Sequence, residues 1–151
     1  MNFTSILSPL RTQQGAAVSS KKRLLELVAE ITSSADSRFN SDELFNQLLA
    51  RERLGSTGLG KGVAIPHCRS SQCDSITGVL ISLEKGIDFE AIDDQVVDLV
   101  FALIVPEQAH GEHLKVLAAL AEAFENASFR NELRKAEDDQ GLYEVAIKGL
   151  E

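Results

Sequence analysis

The histidines of this chain lie in two short segments, and each segment follows an apolar stretch that ends in proline. His67 follows Pro66, and both His110 and His113 follow Pro106. Proline holds the preceding residue in extended backbone and lacks a ladder donor, so each segment is expected to bring an imidazole to a strand end. Strand ends are the usual ligand sites of open α/β sheets. The same spacing also fits a surface histidine at 67 and a helix-start histidine at 113.

A glycine-rich loop over residues 55–62 contains four glycines and precedes the His67 segment. Gly55, Gly60 and Lys61 match most of a nucleotide-binding P-loop. However, Gly62 stands where a magnesium-binding Ser or Thr is required, and the loop follows a predicted helix and precedes a strand, the reverse of the P-loop order. Nucleotide binding is therefore disfavoured. The amides of such a loop can still cradle an anion, and a phosphoryl group would suit it.

The two cysteines offer weaker alternatives. Cys68 and Cys73 could join His67 in a zinc site, but no Cys-x2-Cys pair or His-Glu-x-x-His motif occurs, and tetrahedral zinc sites usually show such spacings. A cysteine nucleophile is no better supported, because His67 cannot readily face its neighbour's thiol in an extended chain, although His113 could. We predict reduced thiols without a catalytic role and no metal.

Two amphipathic helices are predicted before the glycine-rich loop. The first begins after Ser20, and the second is capped by Asn40 or Ser41, ends near Gly55 and carries Arg51 in its last turn. Their apolar stripes have helical spacing. The stripes consist of Leu24, Leu27, Val28 and Ile31 in the first helix and Leu44, Phe45, Leu48 and Leu49 in the second.

Strands are predicted after the loop, and helices after the strands. The strands cover 63–65, 76–83 and 96–105, with a turn at 84–86 and a short strand at 87–89. Residues 96–105 are almost continuously apolar, which is typical of a strand buried on both faces. Helices are predicted at 112–125, 128–135 and 141–150.

Composition and charge restrict the class of protein. The 151 residues suit a single domain over 1–151 and are 44% hydrophobic and 25% charged, as in ordinary globular proteins. Lys and Arg number 15 against 23 Asp and Glu, a net charge of −8 that disfavours nucleic acid and anionic membranes. No apolar run reaches the roughly 18 to 20 residues of a membrane span, and no signal segment is evident. We therefore expect a cytoplasmic protein without membrane insertion.

Several segments together resemble one bacterial family. Residues 51–60 and 62–67 are similar to the phosphorylation-site region of fructose/mannitol-type enzyme IIA proteins of the bacterial phosphotransferase system. The similarity continues through 88–93, 97–103 and 105–114. Within that family the chain resembles the nitrogen-regulatory enzyme IIA, on the basis of residues 20–23 and 55–58. The resemblance implies an α/β fold with a mixed central β-sheet flanked by helices on both faces.

The resemblance also implies roles for individual residues. His67 corresponds to the phosphorylated histidine, modified at its Nε2 (tele) nitrogen, Arg51 to a cation that stabilises the phosphoryl group, and His113 to the second histidine of the pocket. A neutral imidazole, with an ordinary pKa of about 6.5, can accept and return a phosphoryl group. The loose transition state needs positioning and charge more than a metal. Phosphoryl-binding contacts are expected from Ser56, Thr57 and Gly58.

The implied function is that of a phosphohistidine carrier in a nitrogen-regulatory system. An HPr-like phosphocarrier (NPr), supplied from phosphoenolpyruvate through an enzyme I, would phosphorylate His67 without any further cofactor. The phosphorylation state would then regulate targets such as potassium-transport proteins or sensor kinases. The alternative is a sugar-transport enzyme IIA that passes phosphate to a cysteine of a IIB domain. A binding module that has lost transfer is a third possibility.

Overall fold

A six-stranded mixed β-sheet forms the centre of the computed structural model, which describes residues 2–151. The strands are β1 (Thr12–Ala16), β2 (Gly58–Gly60), β3 (Val63–Ala64), β4 (His67–Ser70), β5 (Thr77–Ile87) and β6 (Val97–Pro106). The helices are α1 (Lys21–Ala35), α2 (Ser41–Arg53), α3 (Glu112–Phe124), α4 (Ala127–Lys135) and α5 (Asp139–Leu150), with 3-10 turns at Phe3–Ser5 and Pro9–Arg11. The predicted mixed α/β fold class is confirmed.

Strand β6 is the strand on which the sheet is organised. The sheet order is β1-β5-β6-β3-β2, and β4 also pairs with β6. β5 runs antiparallel to β6, whereas β3 and β4 run parallel to it. The residues of β6 from Leu99 to Val105 are all buried, as the continuous apolar pattern predicted.

Helices cover both faces of the sheet because the side chains of the central strands alternate between two apolar layers. α1 and α2 pack on the face that carries Val100, Ala102 and Ile104. α3, α4 and α5 pack on the face that carries Leu99, Phe101 and Leu103. Among the described residues, none of the helices combines the length and the apolar content that crossing a bilayer requires.

Polar side chains fix the starts of the two N-terminal helices. Ser20 accepts a hydrogen bond from the Arg23 amide, 3.1 Å away, and Asn40 accepts one from the Glu43 amide, 2.9 Å away. Asn40 is therefore the N-cap of α2, which decides between the two predicted candidates. α2 ends at Arg53, close to the predicted stop.

Predictions for three local segments were wrong. The segment 84–86 is not a turn and 87–89 is not a separate strand, because β5 continues to Ile87, with a register shift against β6 after Ser82, and residues 88 and 89 lie outside any strand. Gly86 permits this path, since a Cβ there would lie 2.6 Å from Val96 Cγ2. Gly58–Gly60 form a short strand against β3 rather than a loop.

The third error concerns the N-terminal segment, where no strand was predicted. Thr12–Ala16 form edge strand β1, which pairs in parallel with β5. The sequence of β1 is polar and contains Gly15, whose φ of +68° marks a break in the ladder, so its local propensity for a strand is low. Pairing with the strongly apolar β5 creates this strand.

Candidate functional site

Three residues singled out from the sequence line one cleft. Arg51 comes from the last turn of α2, His67 from the start of β4 and His113 from the first turn of α3. The cleft has a volume of about 610 Å³. Its walls are completed by Gln47, Ala50, Leu54, Cys68, Arg69 and Val105. A larger groove of about 780 Å³ among α3, α4 and α5 contains none of the predicted residues.

His67 is held by the ladder between β4 and β6. The Pro66 carbonyl accepts a hydrogen bond from the Leu103 amide, 2.9 Å away, and His67 then pairs with Leu103. His67 therefore lies at the start of a paired strand, whereas the Pro66–His67 spacing placed it after the end of one. Proline lacks a backbone N–H but keeps its carbonyl acceptor. The Pro66 carbonyl can therefore hydrogen-bond to β6, and β4 begins at the next residue, His67.

A single hydrogen bond determines which nitrogen of His67 is free. Nδ1 lies 2.9 Å from the carbonyl oxygen of Ile65. A carbonyl oxygen can only accept, so Nδ1 carries the hydrogen and donates it. In the neutral ring, Nε2 then holds the lone pair. The nitrogen of His67 that keeps a free lone pair is therefore Nε2.

The surroundings of His67 keep its ring neutral. Burial is the largest influence and lowers the pKa of His67 below its ordinary value, and the charges of Arg51 and His113 lower it further. The hydrogen bond to Ile65 and the charge of Glu52 act in the opposite direction without reversing the shift. At neutral pH the lone pair on Nε2 is therefore available.

Arg51 brings a cation to the same cleft. One of its terminal nitrogens donates to the Gly55 carbonyl oxygen at 3.0 Å, which ties the guanidinium to the start of the glycine-rich loop. A guanidinium has five N–H donors in a planar fork that matches phosphate oxygens. This contact leaves further donors for an anion in the cleft.

The two C-terminal histidines differ in their placement. His113 follows Gly111, whose φ of +98° turns the chain into α3, and its Nδ1 is buried without a hydrogen-bond partner in residues 2–151. His110 is exposed and does not line the cleft. Its backbone amide donates to a Glu112 carboxylate oxygen at 2.8 Å. Only His113 therefore joins His67.

The loop residues expected to contact a phosphoryl group do not line the cleft. The Thr57 amide and hydroxyl donate to the two carboxylate oxygens of Glu52, at 2.8 and 2.7 Å. The Ser56 hydroxyl donates to the Phe89 carbonyl oxygen at 2.9 Å and accepts from the Gly58 amide at 3.1 Å. In this arrangement these donors bind other residues of the chain and are not free to contact a group in the cleft.

Glu52 is one residue of this region that sequence reasoning missed. It is only 5% exposed, and its carboxylate lies 2.9 Å from Lys21 Nζ. Lys21 also stacks over the Phe89 ring, 4.6 Å from its centroid. A glutamate in the last turn of a helix ordinarily points to solvent, and its partner lies far away in the sequence. No local signal could have identified the pair.

The two cysteine thiols are buried, and Lys61 of the glycine-rich loop forms an ion pair. Burial raises the pKa of Cys68 to about 12 and that of Cys73 to about 11, so neither supplies a thiolate at neutral pH. Lys61 pairs with Glu125 at 2.7 Å. In the described part of the chain, no three His, Cys, Asp or Glu side chains are grouped to hold a metal ion.

The chain matches a known protein family over almost its whole length. The family is described as phosphoenolpyruvate-dependent sugar phosphotransferase system, EIIA 2, and the match covers residues 5–148. A nitrogen regulatory protein of Pseudomonas aeruginosa is 42% identical over 97% of this chain and 96% of its own length.

Two solved structures share the fold. The nitrogen regulatory protein IIA-Ntr of Neisseria meningitidis is 38% identical, with a TM-score of 0.83 over 95% of this chain and 96% of its own. The IIA mannitol protein of Escherichia coli is 20% identical, with a TM-score of 0.76 over 92% of this chain and 97% of its own. The second likeness concerns the fold alone.

Proposed function

This chain belongs to the EIIA 2 family of the phosphoenolpyruvate-dependent sugar phosphotransferase system, and on that premise we propose that His67 accepts a phosphoryl group from a phosphorylated HPr-like carrier (NPr). The phosphorylated and unmodified forms then act differently on regulatory targets. The observation that carries the proposal is the hydrogen bond from His67 Nδ1 to the Ile65 carbonyl. It leaves Nε2 as the nucleophile in a cleft that also holds Arg51 and His113.

The transfer is a displacement between two nitrogen atoms. The lone pair on His67 Nε2 forms a bond to phosphorus, and the bond between phosphorus and the carrier's histidine nitrogen breaks. The electron pair of that bond returns to the carrier's imidazole. His67 keeps its Nδ1 hydrogen on the Ile65 carbonyl throughout, so no proton has to leave this ring. Neither a metal nor a nucleotide takes part in the step.

Arg51 and His113 supply the electrostatic part of the reaction. The transition state of phosphoryl transfer is loose and spreads negative charge over the phosphoryl oxygens. Arg51 offers N–H donors at the end of α2, and His113 offers an imidazole from the first turn of α3. Donors that are already in place when charge develops lower the barrier without reorganisation.

The rim of the cleft gives the phosphorylation state a means of controlling partners. Leu54 lines the cleft and is 84% exposed, and Leu114, which follows His113 in the sequence but does not line the cleft, is 61% exposed. Apolar side chains beside a reacting group suit transient docking of a carrier or a target. Because the neutral ring keeps its Nδ1 hydrogen, the transferred PO3 group adds one net negative charge at this rim, on a chain whose net charge is already −8. Docking of an acidic or apolar target is then weakened.

Intact mass provides the test of the first step. The chain is incubated with phosphoenolpyruvate, enzyme I and an HPr-like carrier, alongside His67→Ala and, as a control, His110→Ala. We expect one acid-labile phosphoryl group on the wild type and on His110→Ala, and none on His67→Ala. If several competent carriers leave the wild type unmodified, the relay is wrong and the chain is a binding module.

A phosphate-transfer assay with IIB domains distinguishes a regulatory function from a function in sugar transport. Purified IIB domains of the fructose and mannitol types are added to the phosphorylated chain, and loss of phosphate from His67 is followed. Regulatory use predicts slow loss, set by hydrolysis, together with a target that distinguishes the two forms. Rapid transfer to the IIB cysteine would replace the regulatory proposal with a transport role.

A further inference from the structure

Two buried polar atoms in the cleft have no hydrogen-bond partner within residues 2–151. They are the side-chain oxygen Oε1 of Gln47 and Nδ1 of His113. Buried polar side-chain atoms nearly always have a partner, and an unpartnered one costs free energy. Two such atoms in one cleft, one of them an amide oxygen and the other an imidazole nitrogen, therefore require an explanation.

The geometry of α2 places Gln47 on the wall of the site. Gln47 precedes Arg51 by four residues, which is one helical turn, so the two side chains share a helix face. Both line the cleft with His67 and His113. The neighbouring amide side chain of Asn46 is exposed and does not line the cleft. The amide of Gln47 therefore lies in the cleft that contains His67 and His113.

The two unpartnered atoms are chemically complementary. An amide oxygen accepts, and Nδ1 of an imidazole donates when it carries the hydrogen. We propose that Gln47 is a positioning residue for His113, in which Oε1 of Gln47 accepts the hydrogen bond of His113 Nδ1–H. Rotation of the two side chains within the cleft forms this bond and satisfies both atoms.

The hydrogen bond to Gln47 determines which ring nitrogen of His113 meets the phosphoryl group. The partner of one imidazole nitrogen fixes the state of the other. With Nδ1–H held by Gln47, Nε2 is the nitrogen left to face His67, and in the protonated ring Nε2–H donates to a phosphoryl oxygen. This consequence rests on the proposed function of His67, whereas the contact between Gln47 and His113 does not.

The contact is tested in the unmodified full chain by long-range ¹H–¹⁵N spectra of the histidine rings, with His113 assigned from His113→Gln. Wild type, Gln47→Leu, Gln47→Glu and Asn46→Leu are compared. We expect His113 to carry its hydrogen on Nδ1 in wild type, in Gln47→Glu, which keeps an acceptor, and in Asn46→Leu. Gln47→Leu shifts the hydrogen to Nε2. An unchanged His113 spectrum in Gln47→Leu would overturn the proposal.

The rate of phosphorylation tests the positioning role. With phosphoenolpyruvate, enzyme I and the carrier, we expect Gln47→Leu to be modified at least tenfold more slowly than wild type and Asn46→Leu to match wild type. A changed ring spectrum with an unchanged rate would overturn the positioning role. If wild type gains no phosphate, the proposed function fails, and the spectra still decide the contact. Gln47→Met replaces Gln47→Leu in both assays if the leucine variant unfolds.

Discussion

Lys21 Nζ lies 2.9 Å from a carboxylate oxygen of Glu52, and the side chains of the two residues are 17% and 3% exposed. This pair joins the first turn of α1 to the last turn of α2. Because Glu52 also accepts both donors of Thr57, the pair anchors the glycine-rich loop beside Arg51. Within residues 20–23, Lys21 therefore supports the segment that precedes the cleft.

Removing the ammonium should destabilise the fold. Lys21→Met leaves the Glu52 carboxylate buried without its cation, and we expect the free energy of unfolding to fall by about 3 kcal/mol, the lower end for a broken buried pair, because the Thr57 bonds remain. Urea denaturation measures the change. Lys22→Met, at an exposed neighbouring position, is the control and should stay within about 0.5 kcal/mol of wild type. Equal stability of the two variants would show that the pair contributes nothing.

The pKa of His67 should be lower than that of a free imidazole because of the surroundings of the ring. The pKa of His67 is lower in the folded protein than its ordinary value of about 6.5 in the unfolded chain. At a pH between these two pKa values the folded protein binds fewer protons than the unfolded chain. The free energy of unfolding therefore falls as the pH drops through that window. We expect an NMR titration of the ring to have a midpoint below 6.5. Phosphorylation should remain fast at mildly acidic pH.

Arg51 should account for part of that shift. Arg51→Gln removes a charge that lowers the pKa of His67, so the midpoint should rise. It should stay below the ordinary value, because burial is the main cause. The same NMR titration measures both effects. A midpoint that fell in Arg51→Gln would show that the guanidinium does not act on the ring.

Gly58 should tolerate no side chain, because a Cβ there would lie 2.8 Å from Ala91 Cβ and 2.9 Å from Ala91 Cα. We expect Gly58→Ala to lower the unfolding free energy by about 1–3 kcal/mol through overpacking. It should also slow phosphorylation of His67, since the loop is displaced. Adding Ala91→Gly should restore part of the unfolding free energy and part of the phosphorylation rate, because it removes one of the two close contacts. Urea denaturation and the mass assay measure the two effects, and a second substitution without any recovery would refute the contact.

The Cys68 thiol should resist labelling in the native state. Its pKa of about 12 leaves little thiolate at pH 8, so we expect modification by an aromatic disulfide reagent to be at least about 100-fold slower than in urea. The comparison is made with Cys73→Ser, which leaves Cys68 as the chain's one thiol. Labelling at the denatured rate would mean that β4 opens readily around His67.

The sequence predicted elements with strong local patterns and failed where distant partners decide the structure. Strand β6 and all five helices follow from apolar spacing and caps. The proline–histidine spacing pointed to His67 and His113, and the resemblance added Arg51 and the roles of all three. Strand β1 was missed because its polar residues form a strand only when they pair with β5. Glu52 and Gln47 were missed because a polar residue on a helix gives no local sign of being buried against another segment.

Strand β6 has a consequence for how the site can vary. β4, which starts with His67, is paired to β6, and α3, which carries His113, follows β6 after a short connection. The hydrogen-bonded ladder fixes the place of His67 on the sheet, whereas the connection 107–111 sets the reach of His113. Insertions or deletions in 107–111 would therefore change the separation of the two imidazoles while leaving His67 in register. The length of this connection would therefore adjust the space between the two rings without moving β4.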